Sequence, residues 1–172
     1  GDVIVTRKEH AITNYFLPGY WPHVAMYVGE NVVVESMKDG VLERGMSSPF
    51  GNDAMAVIRP QLDAATIESA IQRARSHVGK PYDFDFDFTR ADRLVCTEVV
   101  YRSYEGLGGV QFSLTRRAGR ETLSAEDLLN LALANEAFQT VAVYCRKYSD
   151  QLVQGEAMEE VLRKTMADPV DA

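Results

Sequence analysis

This chain of 172 residues is short of several things, and each shortage removes a class of function. It has two cysteines. That is too few for a disulfide framework, so the fold must rest on a packed core. No cysteine or histidine spacing suits zinc. Lysine and arginine number 18 against 25 acidic residues, for a net charge of -7. No basic block offsets that balance, which excludes broad nucleic-acid binding. No apolar run approaches the roughly 20 residues of a membrane span. Internal repeats and low-complexity tracts are missing. No signal peptide is read in these residues, but the chain starts at Gly1 rather than Met. That start reads as a processed or truncated end, so a periplasmic or secreted location stays open.

What is present suits one domain with one sizeable core. Hydrophobic residues make up 46%, an ordinary share for a globular protein. "GDVIVTR" alternates and is β-branched, as a strand requires. "HVAMYVGENVVVESM" predicts a hairpin turning at Gly29-Glu30-Asn31. "GVLERGM" and "NDAMAVIRP" are further strands, and "FQTVAVYCRKY" is a late one. The spacing of Ile67, Ala70, Ile71 and Ala74 predicts a helix over 62–79, capped by Asp63 and ended by Gly79. A second helix is expected from Cys96 to about Glu105, and a third after the cap at Ser124. A largely solvated helix carrying Met158, Val161 and Leu162 follows near the end. Strands come first and helices later, which predicts an α+β domain with an antiparallel sheet. Its core is expected over about 1–148, with 149–172 as a C-terminal helical extension.

Few residues are placed to carry chemistry. Cys96 opens a helix, where unpaired backbone N–H groups and the positive end of the dipole favour thiolate over thiol. The competing reading is a small buried filler. Cys145 sits within a strand and reads as structural. A nucleophilic thiol needs a base, and the chain has three histidines. His10 lies in an unpatterned loop. His77 ends a helix, where an imidazole suits the dipole. His23 begins a strand after a Trp-Pro turn and can face a cleft. Glu35 interrupts an apolar strand, which is costly without a partner. Side by side in the hairpin, His23 and Glu35 would form a base and its orienting acid; otherwise Glu35 points to solvent. Glu98, two residues beyond Cys96, is expected on another side of that helix. Asp83, Asp85 and Asp87 in "YDFDFDF" suggest the start of a calcium loop. That loop needs glycine at its sixth position and glutamate at its twelfth, where Phe88 and Leu94 stand. No metal and no cofactor is therefore expected.

"GKPYDFDF" followed by "CTEVVYRSY" resembles the cysteine segment of NlpC-type papain-like cysteine peptidases. "WPHVAMYVG" and "VVES" precede it rather than follow. That order resembles the circularly permuted branch, with the YiiX-like (DUF830-type) proteins and relatives of lecithin:retinol acyltransferase. The opening strand "GDVIVTR" is similar too. The resemblance covers roughly Gly1 to Tyr104. It implies a permuted papain-like fold: a small antiparallel sheet or open barrel, with the cysteine helix packed on it and the histidine on a strand facing that helix. It implies Cys96 as nucleophile, His23 as general base and Glu35 as orienting acid. Tyr82 would line the oxyanion region, and Thr97 stands where serine usually follows the cysteine.

The implied activity is cysteine hydrolysis through a thioacyl intermediate. An amide is the expected substrate: a peptide, an isopeptide or a cell-wall stem peptide. The alternatives are acyl transfer or thiol-ester cleavage on acyl-lipid chains, with the aromatic stretch "NYFLPGYW" lining an acyl pocket, and a binding module without turnover. The composition sets no oligomeric state.

Overall fold

The computed structural model describes residues 1–11, 14 and 19–167. The β-branched runs form strands, and the period-3.6 runs form helices over them. The order is β1 (Val3–Arg7), β2 (His23–Gly29), β3 (Val32–Met37), β4 (Gly40–Gly45), α1 (Ser47–Phe50), β5 (Ala54–Pro60), α2 (Ala64–Ser76), α3 (Cys96–Tyr104), β6 (Thr115–Arg117), β7 (Arg120–Thr122), α4 (Ala125–Leu133), β8 (Phe138–Cys145) and α5 (Glu156–Ala167). The class is α+β.

Six strands form one open antiparallel sheet in the order β4-β3-β2-β1-β5-β8, and β6 pairs with β7 as a separate ribbon. The open sheet, not a barrel, is the form adopted. The hairpin between β2 and β3 turns on Glu30 and Asn31, whose φ values of 53° and 60° fit a two-residue type I′ turn. Gly40 has φ of 101°, and a Cβ there would lie 2.6 Å from the Lys80 carbonyl oxygen. That closeness lets Lys80 accept from the Val41 N–H at 2.9 Å and ties the end of the α2 segment to β4. The short α1 and the β6–β7 ribbon carry no periodic signal in the sequence, being only four and three residues per element.

Strand alternation divides the sheet into two faces. Val3, Val5, Val24, Met26, Val34, Ala56 and Ile58 join the main core under the helices. Ile4, Ala25 and Val33 form a small cluster on the other side. Helix α3 buries Val99, Val100, Ser103 and Tyr104. Helix α5 buries Met158, Leu162 and Thr165. It is pinned where Trp21 Nε1 donates to Thr165 Oγ1 at 2.8 Å.

Candidate active site

His23 is the first residue of β2, and Glu35 lies on the antiparallel neighbour β3. By alternation His23 belongs with Ala25, away from the helix-side core. It meets Cys96 because both residues stand at the ends of their elements. Ser36 sets the approach. Its hydroxyl donates to the Leu94 carbonyl at 2.6 Å, two residues before Cys96. Leu94 is further fixed by a bridge to Tyr82 and by its N–H donating to Pro81 at 3.0 Å.

The side chains then form a chain. Cys96 and His23 line the same cavity, and the charge of each shifts the titration of the other. Nε2 of His23 lies 2.6 Å from Glu35 Oε2, which leaves Nδ1 for the sulfur. Glu35 Oε1 accepts from the Ser48 hydroxyl, and Arg44 Nε lies 3.5 Å from that same oxygen. Ser48 is presented by α1, and Arg44 in turn bonds Asp39 at 2.7 Å. Glu35 is therefore 2% exposed yet partnered on both oxygens. Nothing in the sequence pattern pointed to Ser48, Arg44 or Ser36. Each acts through a contact that only the folded sheet creates.

The electrostatics favour an ion pair. Burial pushes the Cys96 thiol up, but the His23 charge and hydrogen bond, with the N–H groups of Val24 and Thr97, outweigh it and lower the thiol below its usual range. Burial would lower His23 as well; the Cys96 and Glu35 charges outweigh that and raise it to about 10. Burial raises Glu35, while His23, Ser48 and Arg44 bring it below the usual carboxylate value. The favoured state is thiolate, imidazolium and carboxylate in a row.

Two cavities meet at the sulfur. One, of about 510 Å³, is walled by Trp21, Phe88, Thr97 and the β6–β7 ribbon. The other, of about 770 Å³, holds His23, Glu35 and Arg44. Tyr82, Phe84, Phe86 and Cys96 border both. Burial and then the Cys96 charge raise the Tyr82 phenol, so its hydroxyl keeps its proton. Residues 15–18 of the stretch read as an acyl-pocket wall lie outside the described residues; Trp21, its last residue, does wall a cavity.

The other singled-out residues have structural partners. Cys145 is fully buried in β8, 3.3 Å from the Tyr20 hydroxyl. His10 is exposed in a loop. His77 does not serve the helix dipole as a cation. Burial first, then Lys80 and Arg102, lower it to about 4, and it faces Lys80 Nζ at 3.0 Å. Glu98 is fully buried, with Oε2 accepting the Val95 N–H at 2.9 Å to cap the cysteine helix. Asp83 is fully buried too, its two oxygens accepting the N–H groups of Asp85 and Asp87 at 3.0 and 2.5 Å.

A cysteine at a helix start, opposite a strand-borne histidine, places the fold among the papain-like proteins. The strands preceding the cysteine helix make it a permuted member. A family model described as permuted papain-like amidase enzyme, YaeF/YiiX, C92 family, matches residues 1–162, and the chain belongs to that family. The match runs well past Tyr104, into α5. The solved structure of YiiX from Escherichia coli O157:H7, described as a metalloprotein, is similar in fold. Its TM-score is 0.59 at 20% identity, covering 90% of this chain and 94% of that one. No curated protein matches.

Proposed function

We propose that this chain is a cysteine amidase in which Cys96 is the nucleophile, His23 the base and acid, and Glu35 the group that orients His23. The observation that carries the reading is the 2.6 Å bond between His23 Nε2 and Glu35 Oε2 in the cavity that Cys96 also lines, at the head of α3. The thiolate attacks the amide carbonyl carbon, forming a C–S bond. The oxyanion lies at the start of α3, where the Cys96 N–H has no carbonyl partner within the helix. Tyr82, protonated at the cavity border, is a second donor there, and Thr97 lines the same rim. His23 gives its proton to the nitrogen as the C–N bond breaks, and the amine leaves. Water then attacks the thioester, its proton passing to His23, and the acid departs with the thiolate restored.

YiiX is described as a metalloprotein. The donor set here does not fit a metal. Among the described residues no three histidines, cysteines or carboxylates are placed to hold one ion, and Asp83 is already committed to backbone N–H groups. The mechanism routes no step through one.

A second reading has one observation in its favour. The aromatic wall of Trp21, Phe84, Phe86 and Phe88 beside Cys96 suits an apolar acyl group, as in ester cleavage or acyl transfer.

The test is twofold. Iodoacetamide at mildly acidic pH should label Cys96, while buried Cys145 stays slow, as peptide mass spectrometry will read. p-Nitrophenyl acetate should give a burst of nitrophenol near one per chain, absent in Cys96→Ala, and His23→Ala should slow turnover by about 10²- to 10⁴-fold. Equal labelling of both thiols, or a burst that survives Cys96→Ala, rules the reading out.

A further inference from the structure

Glu35 is held on both carboxylate oxygens, and the second hold comes from a residue outside the Cys96, His23 and Glu35 set. Oε2 takes the His23 bond at 2.6 Å, and Oε1 accepts from the Ser48 hydroxyl. Among the described residues no other hydrogen bond reaches Oε1. Arg44 Nε stands 3.5 Å from it without a hydrogen bond, and Arg44 spends another nitrogen on Asp39 at 2.7 Å. The plane of a glutamate carboxylate turns about a broad, two-fold torsion, so a single bond leaves it free to tilt. Bonds on opposite oxygens fix it.

Ser48 is placed as a stationary donor. It lies on α1, a four-residue turn tied down at both ends. Before it, the Met46 N–H donates at 3.1 Å to the carbonyl of Asn31, in the turn between β2 and β3. After it, Lys8 Nζ donates to the Gly51 carbonyl at 2.9 Å. Asn52 Nδ2 closes the turn, donating to the Ser48 and Pro49 carbonyls at 3.0 and 2.9 Å. The turn is thus anchored to the hairpin that carries His23 and Glu35. A serine hydroxyl has one proton to give, and this one goes to Glu35. Its neighbour Ser47 is exposed.

We infer that Ser48 is a positioning residue of the site: its hydroxyl sets the plane of the Glu35 carboxylate so that Oε2 stays on His23 Nε2. The inference rests on the reading of Cys96, His23 and Glu35 as the working groups. The rival account is electronic. A donor on Oε1 draws charge from the carboxylate, and its loss alone would make Glu35 a better partner for the imidazolium. The two accounts differ in sign. Losing position weakens support for the imidazolium, so the thiolate needs a higher pH. Losing only the draw strengthens that support, so the thiolate forms at a lower pH. Besides His23, the charged and titratable groups that share the cavity with Glu35 are Cys96, Tyr82, Arg44, Asp39, Lys38 and Lys8. Replacing Ser48 leaves every one of them in place.

The experiment is the pH titration of Cys96 alkylation by iodoacetamide in wild type, Ser48→Ala, Glu35→Gln and the double variant. Ser47→Ala is the control, and thermal melts run alongside. Ser48→Ala keeps the Asn52 bonds, which use backbone carbonyls, so α1 should stand. Its profile should move upward, and alkylation at mildly acidic pH should slow roughly two- to tenfold, the range of one net hydrogen bond. Ser47→Ala should follow wild type. In the Glu35→Gln background, Ser48→Ala should move the profile by less than in wild type, because Ser48 acts through the Glu35 carboxylate. An unmoved or downward profile in Ser48→Ala overturns the inference. So does a shift in the Glu35→Gln background equal to or larger than that in wild type, which would route the effect of Ser48 past Glu35. A Ser47→Ala profile that moves as far as that of Ser48→Ala overturns it too. If Glu35→Gln itself leaves the profile unmoved, the roles of Glu35 and Ser48 fall together. The amidase reading fails separately, through loss of the Cys96-dependent burst.

Discussion

Glu35 illustrates how one residue's role depends on what surrounds it. A carboxylate 2% exposed among valines costs free energy unless it is paired. It has His23, Ser48 and Arg44. Glu35→Gln keeps the shape and removes the charge that supports the imidazolium. The pH profile of Cys96 alkylation should therefore move upward, and the melting temperature should fall by the equivalent of about 1–3 kcal/mol, as expected for hydrogen bonds to a charged group. Superimposable profiles would reduce the site to Cys96 and His23. The pH dependence of stability follows from the same pair. Taken alone, His23, raised from 6.5 to about 10, contributes stability that is full below 6.5 and lost as pH rises through about 10. Cys96, lowered from 9.0, contributes stability that is full above 9.0 and lost as pH falls through its folded value. Above both 6.5 and the folded value of Cys96, and below 9.0, the pair holds one proton in the folded and the unfolded chain, so the two slopes cancel there.

At the scale of elements, α3 is the part on which the site depends, and Glu98 closes its first turn. The periodicity of "CTEVVYRSY" is legible, and so is its buried face. Its cap is not, because the N-cap residue is Val95, which has no side-chain acceptor. Glu98 reaches back to the Val95 N–H instead, the half of a capping box that a glutamate supplies. Burial raises this carboxyl to about 7, against the pull of the Val95 N–H and Arg102. A raised acid stabilises the fold fully below its unfolded value of 4.5, and that contribution is lost as pH rises through about 7. Glu98→Gln should therefore gain on wild type as pH rises from 4.5 to 7. Glu98→Ala, which strands the Val95 N–H, should lose about 1–3 kcal/mol. Chemical denaturation of the three proteins across that pH range checks both. A wild-type-to-Gln difference that does not change with pH would show that Glu98 does not titrate there.

Across the whole molecule the last helix is part of the core. The sequence reading set residues after 148 apart as an extension and took α5 as mostly solvated from its narrow apolar stripe, and nine of its twelve residues are not buried. Yet Leu162 is fully buried in the main cluster, and Trp21, the residue before the Pro22–His23 step, bonds Thr165. Leu162→Ala should cost about 2–5 kcal/mol by thermal or denaturant melts, as for other large core leucines. A cost below about 0.5 kcal/mol, the range of surface substitutions, would make α5 an appendage.

The sequence by itself determined the strands and the long helices, because period-2 and period-3.6 patterns are local consequences of burying one face. It also determined the order in which histidine, glutamate and cysteine come, and the helix start that favours a thiolate at Cys96. It did not determine which side of the sheet His23 leaves from, why Glu98 is buried, or that His77 is neutral beside Lys80. Nor did it mark Ser36, Ser48 or Arg44. A serine in a strand or in a four-residue helix carries no periodic signature. Its meaning comes from contacts between residues far apart in the chain, such as Ser36 with Leu94 and Trp21 with Thr165. Those contacts exist only after the sheet has set its register, and the same sheet brings Cys96, His23 and Glu35 to one cavity.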